Sequence, residues 1–468
     1  MSWSVTNGSL ALPTLQHLYK TGQLRPTELV AAIYERIAAC PVKNIWIHLL
    51  PRDEVLAQAA RLEQQQDTSG DLPPLYGIPY AVKDNIDVAR HPTTAACPAF
   101  SYTPSQSATV VKQLNEAGAL LIGKTNLDQF ATGLVGTRSP YGACANPFDA
   151  RYIAGGSSAG SAVAVASGLV SFALGTDTAG SGRVPAGFNN IVGLKPSKGL
   201  VSTAGVLPAC RSLDCVSIFA LTCDDAQAVL NVCQGPDPLD PFSRTKPKHP
   251  ATTPPLTEGR PFRFGVPAPQ QRQFFGNGDY ARLFLESIRH MTDLGGEKIE
   301  IDFTPFVETA NLLYGGPWVA ERFSAIKAFI TARPEELFPA TRTIIESGRN
   351  FTAVDAYESY YQLRAYQQQV APLWHDIDLL LVPTTGTIYT IEAVNAEPLA
   401  LNTNLGYYTN FVNLLDLCAW AVPNGFQTNG LPMGVTLIAP AFQDDALGRL
   451  AGAFQRHRQH GLEAIGSA

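Results

Sequence analysis

Charge is scarce in this chain: 16% of its 468 residues are Asp, Glu, Lys or Arg. What charge there is leans acidic, 34 Lys plus Arg against 40 Asp plus Glu, for a formal net charge of −6. Basic runs are absent beyond short stretches such as Arg456 to Arg458. Nucleic acid and anionic membrane surfaces are bound by basic faces, so neither is expected as the main partner. Metal-binding spacings are missing as well. The cysteines (Cys40, Cys97, Cys144, Cys210, Cys215, Cys223, Cys233, Cys418) form no CxxC pair and the histidines no HExxH, so no metal and no cofactor is expected. A chain this long buries a core without disulfides, and Met1-Ser-Trp-Ser-Val does not read as a signal peptide, which together predict reduced thiols and a cytoplasmic protein. No apolar run reaches the ~20 residues of a membrane span, since Ser and Gly break even 159–174. No internal repeat is found.

What is present is a globular composition, 45% hydrophobic with 39 Gly and 35 Pro. Helical spacing (Leu12, Leu15, Leu18, Tyr19, then Leu29, Ile33, Ile37) predicts an N-terminal helical segment over about 1–65. Tyr80-Ala81-Val82 reads as a buried strand ending at Lys83, and 108–125 as a helix followed by a strand at 119–122. Residues 378–383 and 434–438 read as further core strands, and 445–454 as a closing helix. Alternating helices and buried strands predict an α/β fold with a sheet covered on both faces. The proline-rich stretch of about 236–267 reads as a surface connection within a single domain spanning 1–468.

Gly118-x4-Gly123-Lys124-Thr125 fits the phosphate-loop pattern, but the intervening Ala-Leu-Leu-Ile is too apolar for a flexible cradle and reads as a strand. Two serine-bearing glycine loops, Gly155-Gly-Ser-Ser-Ala-Gly-Ser161 and Thr176-Asp-Thr-Ala-Gly-Ser-Gly-Arg183, flank an apolar segment. A serine in a glycine-walled turn at the end of a core element is how a hydroxyl nucleophile is exposed next to free backbone N–H groups. Its base is not an obvious histidine, because none lies between His91 and His249. Lys83 follows an apolar strand, where desolvation disfavours the charged amine and permits a neutral base near pH 7. On the residues alone, a Ser/Lys pair and a core-edge ion pair at Lys83 stand side by side.

Lys83 in Val-Lys-Asp-Asn, the Gly155 loop and Gly175-Thr-Asp-Thr-Ala-Gly-Ser-Gly-Arg-Val-Pro-Ala186 together resemble the amidase signature family, across essentially the whole chain. The resemblance implies a large mixed twisted sheet covered by helices, and a Ser-cisSer-Lys triad. Ser181 then corresponds to the nucleophile, Ser157, preceded by a cis peptide, to the bridging serine, and Lys83 to the base. The separation of 24 residues between the two serines matches the family pattern and favours Ser157 over Ser158. Lys83 would take the proton of Ser181 through Ser157, and the same relay would protonate departing ammonia. The N–H groups of Thr178, Ala179, Gly180 and Ser181 would hold the oxyanion, each critical donor contributing about 3–4 kcal/mol. Ser158 would support its loop by hydrogen bonding, and Asp177 with Arg183 would form an ion pair bracing the nucleophile turn.

The stretch from Leu312 to Arg322 resembles the allophanate hydrolases of that family, in which the tyrosine and the arginine, here Tyr314 and Arg322, contact the substrate. Allophanate is a small planar anion, and a guanidinium fork matches its carboxylate. Pro317 reads as the first residue of a helix, with Arg322 about one turn in. Without the resemblance, Arg322 reads as a solvated helix residue and Tyr314 as core filler. Thr132 and Gly133 are further candidates, for backbone contacts on the leaving-group side of the substrate. The resemblance implies ammonia release giving N-carboxycarbamate, in urea or s-triazine nitrogen use, by a homodimer lacking the family's C-terminal accessory domain. The alternatives are an amidase for another small amide, such as malonamate or biuret, and a glutamine-amidase subunit of a tRNA amidotransferase.

Overall fold

The computed structural model describes residues 8–69, 72–247 and 260–458. Within them, eleven strands form one sheet: β1 Trp46–Leu49, β2 Pro79–Lys83, β3 Leu120–Thr125, β4 Phe172–Asp177, β5 Val192–Lys195, β6 Cys215–Ala220, β7 Phe262–Pro267, β8 Gly296–Ile301, β9 Leu379–Pro383, β10 Leu417–Phe426 and β11 Pro432–Pro440. Their order is β1-β3-β2-β4-β6-β5-β10-β11-β9-β7-β8. The sheet is mixed. β2 runs parallel to β3 and β4, β7 runs parallel to β8 and β9, and the strands between are antiparallel. This is the α/β architecture expected.

Side chains alternate across a strand, and the two faces of β9 feed two different cores. Leu379 and Leu381 pack with Trp420 and Leu437, whereas Leu380 and Val382 pack with Tyr408 and Phe411. A strand buried on both faces has no polar face to show, which is why 379–383 reads as a continuous apolar run. The helix Ala159–Ala166 is likewise buried at every position, its small residues letting it lie close against the sheet.

Three sequence expectations need correction. The N-terminal helical segment consists of Leu12–Lys20, Pro26–Ala39 and Arg52–Ser69 but is interrupted by β1, four residues too short to show a period. The strand expected at 119–122 runs on to Thr125, so Lys124 lies inside β3 and not after it. The proline-rich connection ends earlier than 267. Phe262–Pro267 is β7, paired with β8 and β9, and residues 248–259 lie outside the described residues.

The parallel trio β3-β2-β4 positions the site. Its carboxyl ends share one edge, and the chain leaves that edge at Lys83, Thr125 and Asp177. Loops at the carboxyl ends of parallel strands are where open α/β sheets gather their ligand contacts.

Candidate active site

Lys83 closes β2 with no solvent exposure, and its Nζ donates to Ser157 Oγ at 2.7 Å and Thr176 Oγ1 at 2.8 Å. Two neutral hydroxyls are poor compensation for a buried ammonium. Burial lowers its pKa to about 7, while the carboxylates of Asp128, Asp214 and Asp177 pull it back up and Arg322 pushes it further down. An amine so placed is available in its neutral form at ordinary pH.

Ser157 and Ser158 immediately precede the helix Ala159–Ala166, and the Gly156–Ser157 peptide is cis. Ser158 Oγ donates to Thr176 O at 3.1 Å and accepts from Thr176 N at 3.3 Å, tying the serine loop to β4. Ser181 lies in the turn after β4, 3% exposed, and no hydrogen bond joins its hydroxyl to Ser157 or to any other described residue. The structure thus brings Lys83 and Ser157 into contact and leaves the Ser157–Ser181 link open.

The turn that carries Ser181 is braced from beneath. Asp177 and Arg183, both with fully buried side chains, form a two-pronged ion pair with N–O distances of 2.9 and 3.0 Å. Arg183 also donates to Thr409 O, and Asn413 Nδ2 donates to Asp177 O at 2.8 Å. Asp177 has a second role beneath the expected oxyanion set: its Oδ1 accepts from Gly180 N at 3.0 Å and its Oδ2 from Gly182 N at 3.0 Å. Gly180 is therefore occupied. The N–H groups of Thr178, Ala179 and Ser181 have no partner among the described residues and remain open to an oxyanion.

Arg322 is 2% exposed, so the solvated-helix reading does not hold. Its helix, Trp318–Ala325, starts one residue later than expected, with Pro317 as its cap, and Tyr314 lies in the last turn of the preceding helix, Thr304–Gly315. Arg322 Nη1 donates to Thr132 Oγ1 at 3.1 Å and Ala131 O at 3.3 Å, Nη2 reaches Tyr314 Oη at 3.5 Å, and the guanidinium carbon stands 5.3 Å from the centre of the Tyr314 ring. Nε has no partner, and among the described residues no carboxylate lies within ion-pair distance, Asp214 and Glu321 acting on it only from farther away. A buried guanidinium satisfied only by neutral acceptors is a site suited to an anion. Thr132 is brought to Arg322 through its hydroxyl, and Gly133 follows it in the chain, packed against Asp128 and Arg138.

Several residues that sequence reasoning missed complete the site. Thr176 looks like an ordinary strand residue until Lys83 is placed beside it. Asp214 accepts the Thr178 hydroxyl and the N–H groups of Ala209 and Cys210, and burial raises its pKa to about 6 against those hydrogen bonds. Asp128 is fully buried behind the serine loop and no motif marks it. Lys124, the phosphate-loop decoy, is ion-paired with Asp84 at 3.0 Å and donates to Pro92 O and Thr93 Oγ1, with no cradle around it. Away from this region, among the described residues, His290, Asp293 and His457 hold ligand atoms within 4.8 Å of one another, but the Arg458 guanidinium contacts the His290 ring, which disfavours a cation there.

A sequence model of the family described as Amidase matches residues 28–447. The urea amidolyase of Saccharomyces cerevisiae is 46% identical over 429 residues, covering 91% of this chain and 23% of that protein. A solved structure of Kluyveromyces lactis allophanate hydrolase superposes with a TM-score of 0.89 at 41% identity, over 99% of this chain and 76% of that one. One glutamyl-tRNA(Gln) amidotransferase subunit of Cyanothece sp. is 33% identical over 87% of this chain and 89% of its own length. The chain spans less than a quarter of the length of the first two curated relatives it matches.

Proposed function

The chain belongs to the amidase family, and from that premise we propose that it hydrolyses allophanate, with Ser181 as nucleophile, Ser157 as bridge and Lys83 as base. The observation that carries the substrate assignment is Arg322, a buried guanidinium with an unpartnered Nε and no carboxylate of its own. The substrate carboxylate supplies the missing anion, with Tyr314, Thr132 and Gly133 lining its place. The similarity to an allophanate hydrolase and a urea amidolyase supports the same reading.

In this mechanism Ser181 turns toward Ser157 as substrate binds. Its proton passes to Ser157 and the Ser157 proton to neutral Lys83, while Ser181 Oγ bonds to the amide carbonyl carbon. The carbonyl oxygen, now negative, is held by the N–H groups of Thr178, Ala179 and Ser181. The relay runs back to protonate the leaving nitrogen, the C–N bond breaks and ammonia departs. Water then hydrolyses the acyl-serine through the same relay, giving N-carboxycarbamate. Residues 1–468 are read as one amidase unit, working in the cytoplasm as a homodimer in urea or s-triazine nitrogen use.

Ammonia release by the purified chain from allophanate, beside malonamate, biuret and a neutral amide, tests the assignment. Preference for allophanate, abolished in Ser181→Ala, is expected. Preference for an uncharged amide overturns the substrate, and undiminished activity in Ser181→Ala overturns the mechanism.

A further inference from the structure

Asp128 stands at the junction of two parts of the site that come from different stretches of chain. Its backbone N–H donates to Ser157 O at 3.0 Å. Its carboxylate faces the other way and accepts three backbone N–H groups: Val135 at 3.1 Å and Gly136 at 3.0 Å on Oδ2, and Arg138 at 2.9 Å on Oδ1. A carboxylate with three N–H donors is held in one orientation. The fit is close on both sides. A Cβ on Gly156 would come within 2.0 Å of Asp128 Oδ2, and one on Gly133 within 2.6 Å. Neither position tolerates a side chain while the carboxylate stays where it is.

The loop that Asp128 closes, residues 129–138, carries the substrate wall. Arg138, 1% exposed, donates from Nη1 to Thr132 O at 3.0 Å, and Arg322 donates to Thr132 Oγ1 from the opposite side. Thr132 is thus clamped between two guanidiniums, and the clamp is anchored to Ser157 through Asp128.

We propose that Asp128 is a positioning residue that locks the Thr132–Gly133 substrate wall to the Gly156–Ser157 peptide, so that the anion pocket and the Ser157 bridge keep one fixed separation. This rests on the roles proposed for Lys83, Ser157 and Ser181. Asp128 is also the foremost negative charge acting on Lys83. The other charged groups acting on it are Asp214, Asp177 and Arg322, and Asp84, the next residue, is neutralised by Lys124. Asp128 therefore stabilises the protonated amine as well as placing its partner.

Asp128→Asn separates these effects from simple loss of packing, because the amide keeps the shape, loses the charge and points N–H groups at backbone donors. The readout is the rate at which a fluorophosphonate labels Ser181, a reaction in which Ser181 Oγ bonds to phosphorus, fluoride leaves and the hydroxyl proton goes to the relay. It needs no allophanate, so failure of the substrate assignment leaves it intact. In folded Asp128→Asn, labelling at pH 8 is expected to fall roughly tenfold to a hundredfold, and its rise with pH, centred at about 7 in the parent, is expected to move to lower pH. An unchanged rate or an unmoved midpoint overturns the proposal. Gly133→Ala supplies a second arm should Asp128→Asn fail to fold. It presses on the same carboxylate but keeps its charge, so slower labelling with the midpoint in place is expected, and labelling as fast as in the parent overturns the proposal.

Discussion

Lys83 and Lys124 lie on adjacent parallel strands, one residue apart in register and both without solvent exposure. Lys124 has Asp84 at 3.0 Å, and Lys83 has two hydroxyls. Arg183 and Arg322 repeat the contrast: each is buried, but Arg183 grips Asp177 and Arg322 has no carboxylate within ion-pair distance among the described residues. Within each pair, burial is common to both members and the counter-ion separates them. The matched cation holds the fold together. Burial lowers the pKa of both lysines, to about 7 in Lys83, while the adjoining Asp84 carboxylate pulls that of Lys124 back up; for Arg322, the missing partner is the place we propose for an anionic substrate.

The contrast can be tested by removing its members one at a time. The largest effect belongs to the proposed nucleophile: Ser181→Ala is expected to lower kcat by roughly 10⁴-fold or more, read as ammonia release, with little change in unfolding midpoint. Next comes a matched cation. Lys124→Met leaves Asp84 buried and unpaired, so denaturant unfolding is expected to show a loss of ~3–5 kcal/mol, while activity per folded molecule stays near that of the parent. A large loss of turnover without loss of stability would erase the distinction. The smallest effect is the pH dependence. Lys83 must be neutral to accept a proton, so kcat/KM is expected to fall as pH drops through about 7, by about tenfold per unit below it. An acid limb lying well below that value would assign the base to another group.

The parts of the site that the sequence revealed are those built from local chemistry. An apolar run ending in Lys83 marks a buried amine, and glycine-walled serines mark the hydroxyls grouped around it, buried though they are. Thr176, Asp214 and Asp128 could not be picked out, because their roles arise where separate strands and loops meet, and each has an unremarkable neighbourhood in sequence. The occupied Gly180 N–H belongs to the same class: only the folded turn shows that Asp177 reaches back to take it. In the fold, β2, β3, β9 and β11 were readable as apolar runs, whereas β4, β6 and β10, just as buried, were not read as strands, and β7 was not either, since Phe-Arg-Phe-Gly-Val-Pro follows a proline-rich stretch and owes its place to pairing with β8 and β9.

The most direct test of the unmatched cation is Arg322→Gln, assayed for kcat/KM on allophanate and on a neutral amide of similar size. A loss of roughly 10²–10³-fold on the carboxylated substrate, with the neutral amide nearly unaffected, is the expected result. Equal losses on both substrates would contradict a guanidinium held in reserve for an anion and would make Arg322 a structural residue like Arg183.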